Sequence, residues 1–173
     1  KRKAALEVFS THLSDLDWDE PDWQDFFHKN EWIFGLGLDY CYLKRIENQI
    51  TLGGQNMLGK EADVLDFMLA SDGDARFTVL VDIKRPDTTL VKPYRSGIYR
   101  VDKEVAGGVS QLQAYCRTWE DEGSQKEGQR DTDIGAFTYA PRGMLIVGHQ
   151  ELLNDDRKKR RSFELFRRHI HNP

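Results

Sequence analysis

The stretch Phe77 to Thr89, FTVLVDIKRPDTT, begins as an apolar strand and ends in charge. In an extended chain Phe77, Val79, Val81 and Ile83 share one face, and Thr78, Leu80, Asp82 and Lys84 share the other. A lone charge in that setting is costly to desolvate, so Asp82 and Lys84 are expected to be paired, to bind a metal, or to lie near solvent at the strand end. Pro86 ends the strand just beyond them.

The run before it, ADVLDFMLA (62–70), reads as a second strand, and Asp72-Gly73 in the connecting SDGDAR is a hairpin signal. With a tight turn there, antiparallel partners have numbers summing to 145, and Asp63 lies across from Asp82 with Cα atoms about 4.5 to 5.5 Å apart. With a seven-residue loop, Ser71 to Phe77, partners sum to 148 and Asp66 takes that place. Both registers bring two carboxylates and a lysine to one edge of the sheet. Like charges so close repel and raise one pKa unless a divalent cation lies between them. Hard oxygen ligands of this kind suit Mg²⁺, with Mn²⁺ as a substitute and the backbone carbonyl of Ile83 as an extra ligand. Such a site, with Lys84 orienting a water or neutralising charge on a phosphate, suits phosphodiester hydrolysis. Spacing alone leaves an equal alternative, in which Asp82 and Lys84 form a solvent-edge salt bridge worth under about 1 kcal/mol.

Composition bounds the setting. The 173 residues fit one domain, with 39% hydrophobic and 31% charged residues, and no apolar run approaches the ~20 residues that span a bilayer. No membrane segment or signal peptide is visible, and two cysteines, Cys41 and Cys116, read as buried small hydrophobes in a reducing cytoplasm. The net charge of −4 divides into +6 for residues 157–173 and −10 for residues 1–156. The acidic total opposes nonspecific nucleic-acid affinity over the whole surface, while RKKRRSFELFRR offers a local phosphate-facing patch or a solvated helix face. The opening KRKAALEVF and the closing HIHNP are expected to be cuts from a longer protein. Residues 1–18 then form a leading helix or linker from a missing N-terminal domain, and 19–173 form a domain truncated at its C-terminus.

Along the chain, a helix capped by Asp19 or Glu20, with Pro21 in its first turn, carries the stripe Trp23, Phe26 and Phe27 and runs on toward NEWIFGLGL. Tyr40 to Leu52 suggests a strand or two, and LGGQNMLGK lacks the phosphate-loop pattern. DTTLVKPYRSGIY reads as a polar loop. A helix from about Asp102 to Trp119 follows, with Val105, Val109, Leu112, Cys116 and Trp119 buried and Gly108, Gln111 and Tyr115 on one flank. EDEGSQKEGQRDTD reads as a charged loop, GMLIVGH as a last strand, and the basic C-terminal run as a helix. The order predicts an α/β domain with a mixed central sheet flanked by helices.

The spacing of an acid 16 to 19 residues before Asp82 of VDIKRP resembles the PD-(D/E)xK nuclease motif. More specifically, WQDFFHKNEWIFGLGL, DFML, DIKRPDTTLV with YRSGIY, and GGVSQLQAY resemble the nuclease domain of the Shedu anti-phage defence family, with GMLIVGH and RRSFELFR extending the likeness. The resemblance implies a restriction-endonuclease-like fold over 19–173 and a Mg²⁺-dependent DNA endonuclease that acts as a homo-oligomer. It assigns metal binding to Asp82, catalysis to Lys84, and orientation of the lysine or contact with substrate to Gln111 in the pattern Gln-x-x-x-Tyr with Tyr115. The family pattern of an Asp followed by three apolar residues matches Asp66, while the tight turn favours Asp63. Asp82 stands where many relatives have Glu. Arg95, Arg100, Arg157 and Lys158 are candidate phosphate contacts, Glu20 and Glu31 candidate further acids, and His149, His169 and His171 weaker candidates without a metal-ligand spacing. The alternative is a nuclease-fold module without activity that binds nucleic acid or protein.

Overall fold

In the computed structural model, residues 1–34, 43–51, 64–71, 77–125 and 137–170 are described. Helix α1 spans Arg2–Asp15 and α2 Glu20–Lys29, followed by a 3₁₀ turn at Glu31–Ile33. Strands β1 (Leu43–Thr51), β2 (Val64–Ser71), β3 (Phe77–Ile83), β4 (Val91–Arg95) and β5 (Ile98–Val101) precede helix α3 (Lys103–Gln125). Strand β6 (Phe137–Ile146), a 3₁₀ turn at Gln150–Leu153 and helix α4 (Arg157–Ile170) complete the order. The chain divides into two compact units, one of Pro21–Ile83 with Gln111–Ile146, the other of Lys1–Glu20, Lys84–Ser110 and Val147–Pro173.

The first unit holds a mixed four-stranded sheet in the order β1-β2-β3-β6, antiparallel except for the parallel pair β3–β6. Its centre is apolar on both faces, which explains why β3 reads as an almost continuous hydrophobic run. Leu65, Met68 and Leu80 pack with Leu112, Tyr115 and Trp119 of α3, and the Trp119 indole donates to Thr78 Oγ1 at 3.2 Å. Phe67 instead meets the rings of His28 (4.3 Å) and Phe34 (5.4 Å), beside the buried α2 stripe of Trp23, Phe26 and Phe27. The expected α3 stripe is rotated by a fraction of a turn. Tyr115 is buried, whereas Val109 and Cys116 are only partly so. Helix α3 also runs past Trp119 into the expected loop, supported by the Arg117–Asp121 pair at 3.0 Å, one turn apart. Strand β6 starts six residues before GMLIVGH. The glycine-rich stretch 52–60, Cys41, and the Asp72-Gly73 turn lie outside the described residues.

In the second unit, the expected polar loop after Pro86 is partly a hairpin, with β4 and β5 antiparallel and Pro93 paired with Tyr99. Proline argues against a strand interior, but in a two-stranded ribbon each strand has an open edge that needs no donor. Gly97 turns the ribbon at φ +70°. Helix α4 packs on this hairpin, and the Tyr99 hydroxyl donates to Asp156 Oδ2 at 2.7 Å. Asp102 begins α3, accepting the Glu104 N–H at 3.1 Å, with Lys92 Nζ 2.8 Å from its other oxygen. Helix α1 buries no residue. Among the described residues no helix is long and apolar enough to cross a membrane.

Candidate active site

The β2–β3 ladder distinguishes the two expected registers. Phe67 pairs with Val81, Met68 with Leu80, Leu69 with Val79 and Ala70 with Thr78, so partner numbers sum to 148. The ladder ends at Phe67–Val81, and in the same register the next pair would be Asp66 and Asp82. The tight-turn register that selected Asp63 is not the one formed, and Asp63 itself lies outside the described residues. Where the two strands end, the Phe77 N–H donates to Ser71 Oγ at 2.9 Å.

Both aspartates are buried, Asp66 at 8% exposure and Asp82 at 3%. Asp66 Oδ2 accepts the backbone N–H of Ile83 at 2.7 Å, so this carboxylate reaches across to the end of β3. Its Oδ1 accepts from Gln24 Nε2 at 2.6 Å. Hydrogen bonds to a charged acceptor contribute roughly 1.5–3 kcal/mol each, which offsets part of the cost of burying the acid. Gln24 is not among the residues that the sequence patterns single out. Its position three residues before the buried Phe27, on the rim of the apolar stripe, is the signal that marks it as facing the interior.

Gln111 is partly buried on α3 and donates through Nε2 to the Tyr115 hydroxyl one turn on. Tyr115 belongs to the core cluster, so its hydroxyl holds Gln111 from within the apolar layer. Cys116, beside it, has its thiol pushed up to about 11, first by burial and then by Glu120, and is no nucleophile at neutral pH.

In the second unit, Lys84 directly follows the last residue of β3 and is partly buried, with Nζ 4.0 Å from Glu20 Oε1. Glu31 opens the first 3₁₀ turn. Arg95, Arg100, Arg157 and Lys158 are exposed, the first two on the β4–β5 hairpin and the others in the first turn of α4. His149 Nδ1 is 3.8 Å from Glu151 Oε2, His169 is exposed in the last turn of α4, and His171 lies outside the described residues.

Among the described residues no cluster of three or more His, Cys, Asp or Glu side chains is arranged to hold a metal ion. The two buried aspartates on paired strands, with the Ile83 carbonyl as the expected third donor, make an all-hard-oxygen set. It fits Mg²⁺ or Mn²⁺, which take one or two carboxylates and complete their shell with water and phosphate oxygens.

Sheet and site together define a mixed α/β domain with a buried acidic pair on adjacent strands and an acid-x-Lys sequence running off the strand end. The family model described as Shedu protein SduA, C-terminal, matches residues 17–173, and the chain belongs to that family. It is 29% identical over 161 residues to Shedu protein SduA of Bacillus cereus (strain B4264), an alignment covering 88% of this chain and 41% of that relative. The chain thus spans about two fifths of the length of this curated relative.

Proposed function

We propose that this chain is the catalytic domain of a metal-dependent DNA endonuclease of the PD-(D/E)xK type, acting as a homo-oligomer in anti-phage defence. The observation that supports the reading is the Asp66–Ile83 hydrogen bond at the end of the β2–β3 ladder, which brings the Asp66 carboxylate to the residue that follows Asp82. Asp66, Asp82 and the Ile83 carbonyl would hold Mg²⁺, and Lys84, two residues after Asp82, supplies the cation of the acid-x-Lys sequence. When bound, the metal ion would neutralise charge on a scissile phosphate and make a water more acidic. The chain's own part is to bind and orient. Asp66 is held by donors on both oxygens, Lys84 stabilises charge developing on the phosphate, and Gln111, fixed by Tyr115, contacts the substrate or the lysine. Arg95, Arg100, Arg157 and Lys158 contribute phosphate contacts that position the DNA without reading its sequence.

The test is to incubate plasmid DNA with the protein, with and without Mg²⁺, beside Lys84→Ala. Nicking that needs Mg²⁺ and disappears in Lys84→Ala supports the reading. Equal nicking by both proteins, or none by either, leaves a nuclease-fold binding module instead. Calorimetric titration should show Mg²⁺ or Mn²⁺ binding that is lost in Asp82→Asn.

A further inference from the structure

Asp66 is gripped from two directions, and one grip comes from a residue far away in sequence. Its Oδ2 accepts the Ile83 N–H at 2.7 Å, while its Oδ1 accepts from Gln24 Nε2 at 2.6 Å. We infer that Gln24 is a positioning residue of the acid site, fixing the rotation of the Asp66 carboxylate in the orientation from which it would meet a divalent cation. This rests on the nuclease reading above.

The terminal torsion of an aspartate is broad, so a carboxylate held at one oxygen alone swings about that contact. A second donor on the other oxygen removes the swing, at a point where small misplacements of a ligand are expensive. The chemistry of the amide suits the task. A lysine or arginine here would neutralise Asp66 and compete with the metal, and an acid would repel it, whereas an amide donates without adding charge. Because an ionised carboxylate only accepts, the NH₂ end of Gln24 must face Asp66. The backbone that carries Gln24 is well anchored, since Trp23, Phe26 and Phe27 of the same helix are buried and Phe27 packs on Phe34 at 5.4 Å. A rigid helix, rather than a loop, therefore sets the donor.

The experiment compares Gln24→Ala and Gln24→Met with wild type and Asp82→Asn. Methionine keeps the length and helix preference of glutamine while deleting the donor. For each protein the Mn²⁺ affinity is measured by calorimetry, the thermal midpoint is recorded without metal, and kcat and KM are determined on plasmid DNA. Both Gln24 variants are expected to weaken Mn²⁺ binding by about 10- to 100-fold and to lower kcat with KM for DNA unchanged, even where Gln24→Met keeps the wild-type midpoint. If Gln24→Met retains wild-type affinity and kcat while Asp82→Asn loses both, the nuclease reading stands and the role of Gln24 falls. If wild type itself neither binds Mn²⁺ nor cuts DNA, both fall together.

Discussion

Two glycines in the second unit should respond to the same substitution with opposite signs. Gly148 sits at φ +64°, and a Cβ added there would overlap Leu90 Cδ2, with Leu90 Cγ at 2.8 Å and the Thr88 carbonyl at 3.0 Å. Leu90 is 3% exposed and has no route into solvent, and a backbone carbonyl cannot be swung aside. A left-handed conformation costs a non-glycine residue about 1–2 kcal/mol, and overpacking adds about 1–3 kcal/mol. Reduced freedom of the unfolded chain returns about 0.4–1 kcal/mol. Gly148→Ala should therefore destabilise by about 1–4.6 kcal/mol, a large part of the stability of a typical domain. Gly107, inside α3, has nothing within 4 Å of the added Cβ, so Gly107→Ala should stabilise by up to about 1 kcal/mol through helix propensity alone. Urea denaturation followed by far-ultraviolet circular dichroism measures both. A Gly148→Ala protein within about 0.5 kcal/mol of wild type would show instead that Leu90 and Thr88 yield freely. The position matters for more than stability, since the Gly148 N–H donates to the Arg85 carbonyl at 3.2 Å and so tethers the backbone one residue after Lys84.

Other outcomes follow from single contacts. With its thiol pushed up to about 11, Cys116 carries about one thiolate per thousand molecules at pH 8, so folded protein should resist iodoacetamide there while urea-unfolded protein labels readily, as mass spectrometry would show. The Asp102 carboxyl is held below the ordinary carboxylate range first by the Lys92 ammonium and then by the Glu104 N–H, against burial. Its contribution to stability is present above the unfolded carboxyl value near 3.8 and is lost as pH falls through the lower folded value. Asp102→Asn should accordingly flatten the acid limb of a thermal-midpoint profile below about pH 4. Tyr115→Phe removes the acceptor that holds Gln111 and should lower DNA cleavage more than it lowers the thermal midpoint. Arg157→Glu with Lys158→Glu, both exposed, should leave the midpoint unchanged, weaken binding to a DNA duplex, and reduce the salt slope by about two; an unchanged slope would remove α4 from the DNA contact.

The sheet was readable where hydrophobic period and length agreed. FTVLVDI and VLDFMLA could hardly be anything but buried strands, and Trp23, Phe26 and Phe27 marked the buried face of α2. The register between those strands was not readable, because Asp72-Gly73 favours a tight turn and the register formed is that of the longer one. Pro93 hid the β4–β5 ribbon for a similar reason, since a ribbon with two open edges tolerates what a wider sheet forbids. The rotation of α3 depended on which side chains met the sheet, and sequence period could not tell Tyr115 from Cys116 as the inward residue. Of the candidate site, the acid-x-Lys run announced itself by placing charge at the end of an apolar strand. Gln24 did not, because its partner lies 42 positions away and nothing local demands an amide there.

On the nuclease reading proposed above, the Asp66–Ile83 hydrogen bond makes one carboxylate serve as both joint and metal ligand. Such sharing biases how a lineage loses activity. A descendant that abandons cutting but keeps the fold has reason to retain Asp66 and to drift first at Lys84, whose removal opens no gap in the strand pairing. Silent relatives should then be recognised by a missing lysine beside an intact aspartate. For the same reason, an inactive protein made for binding studies is better built on Lys84 than on Asp66.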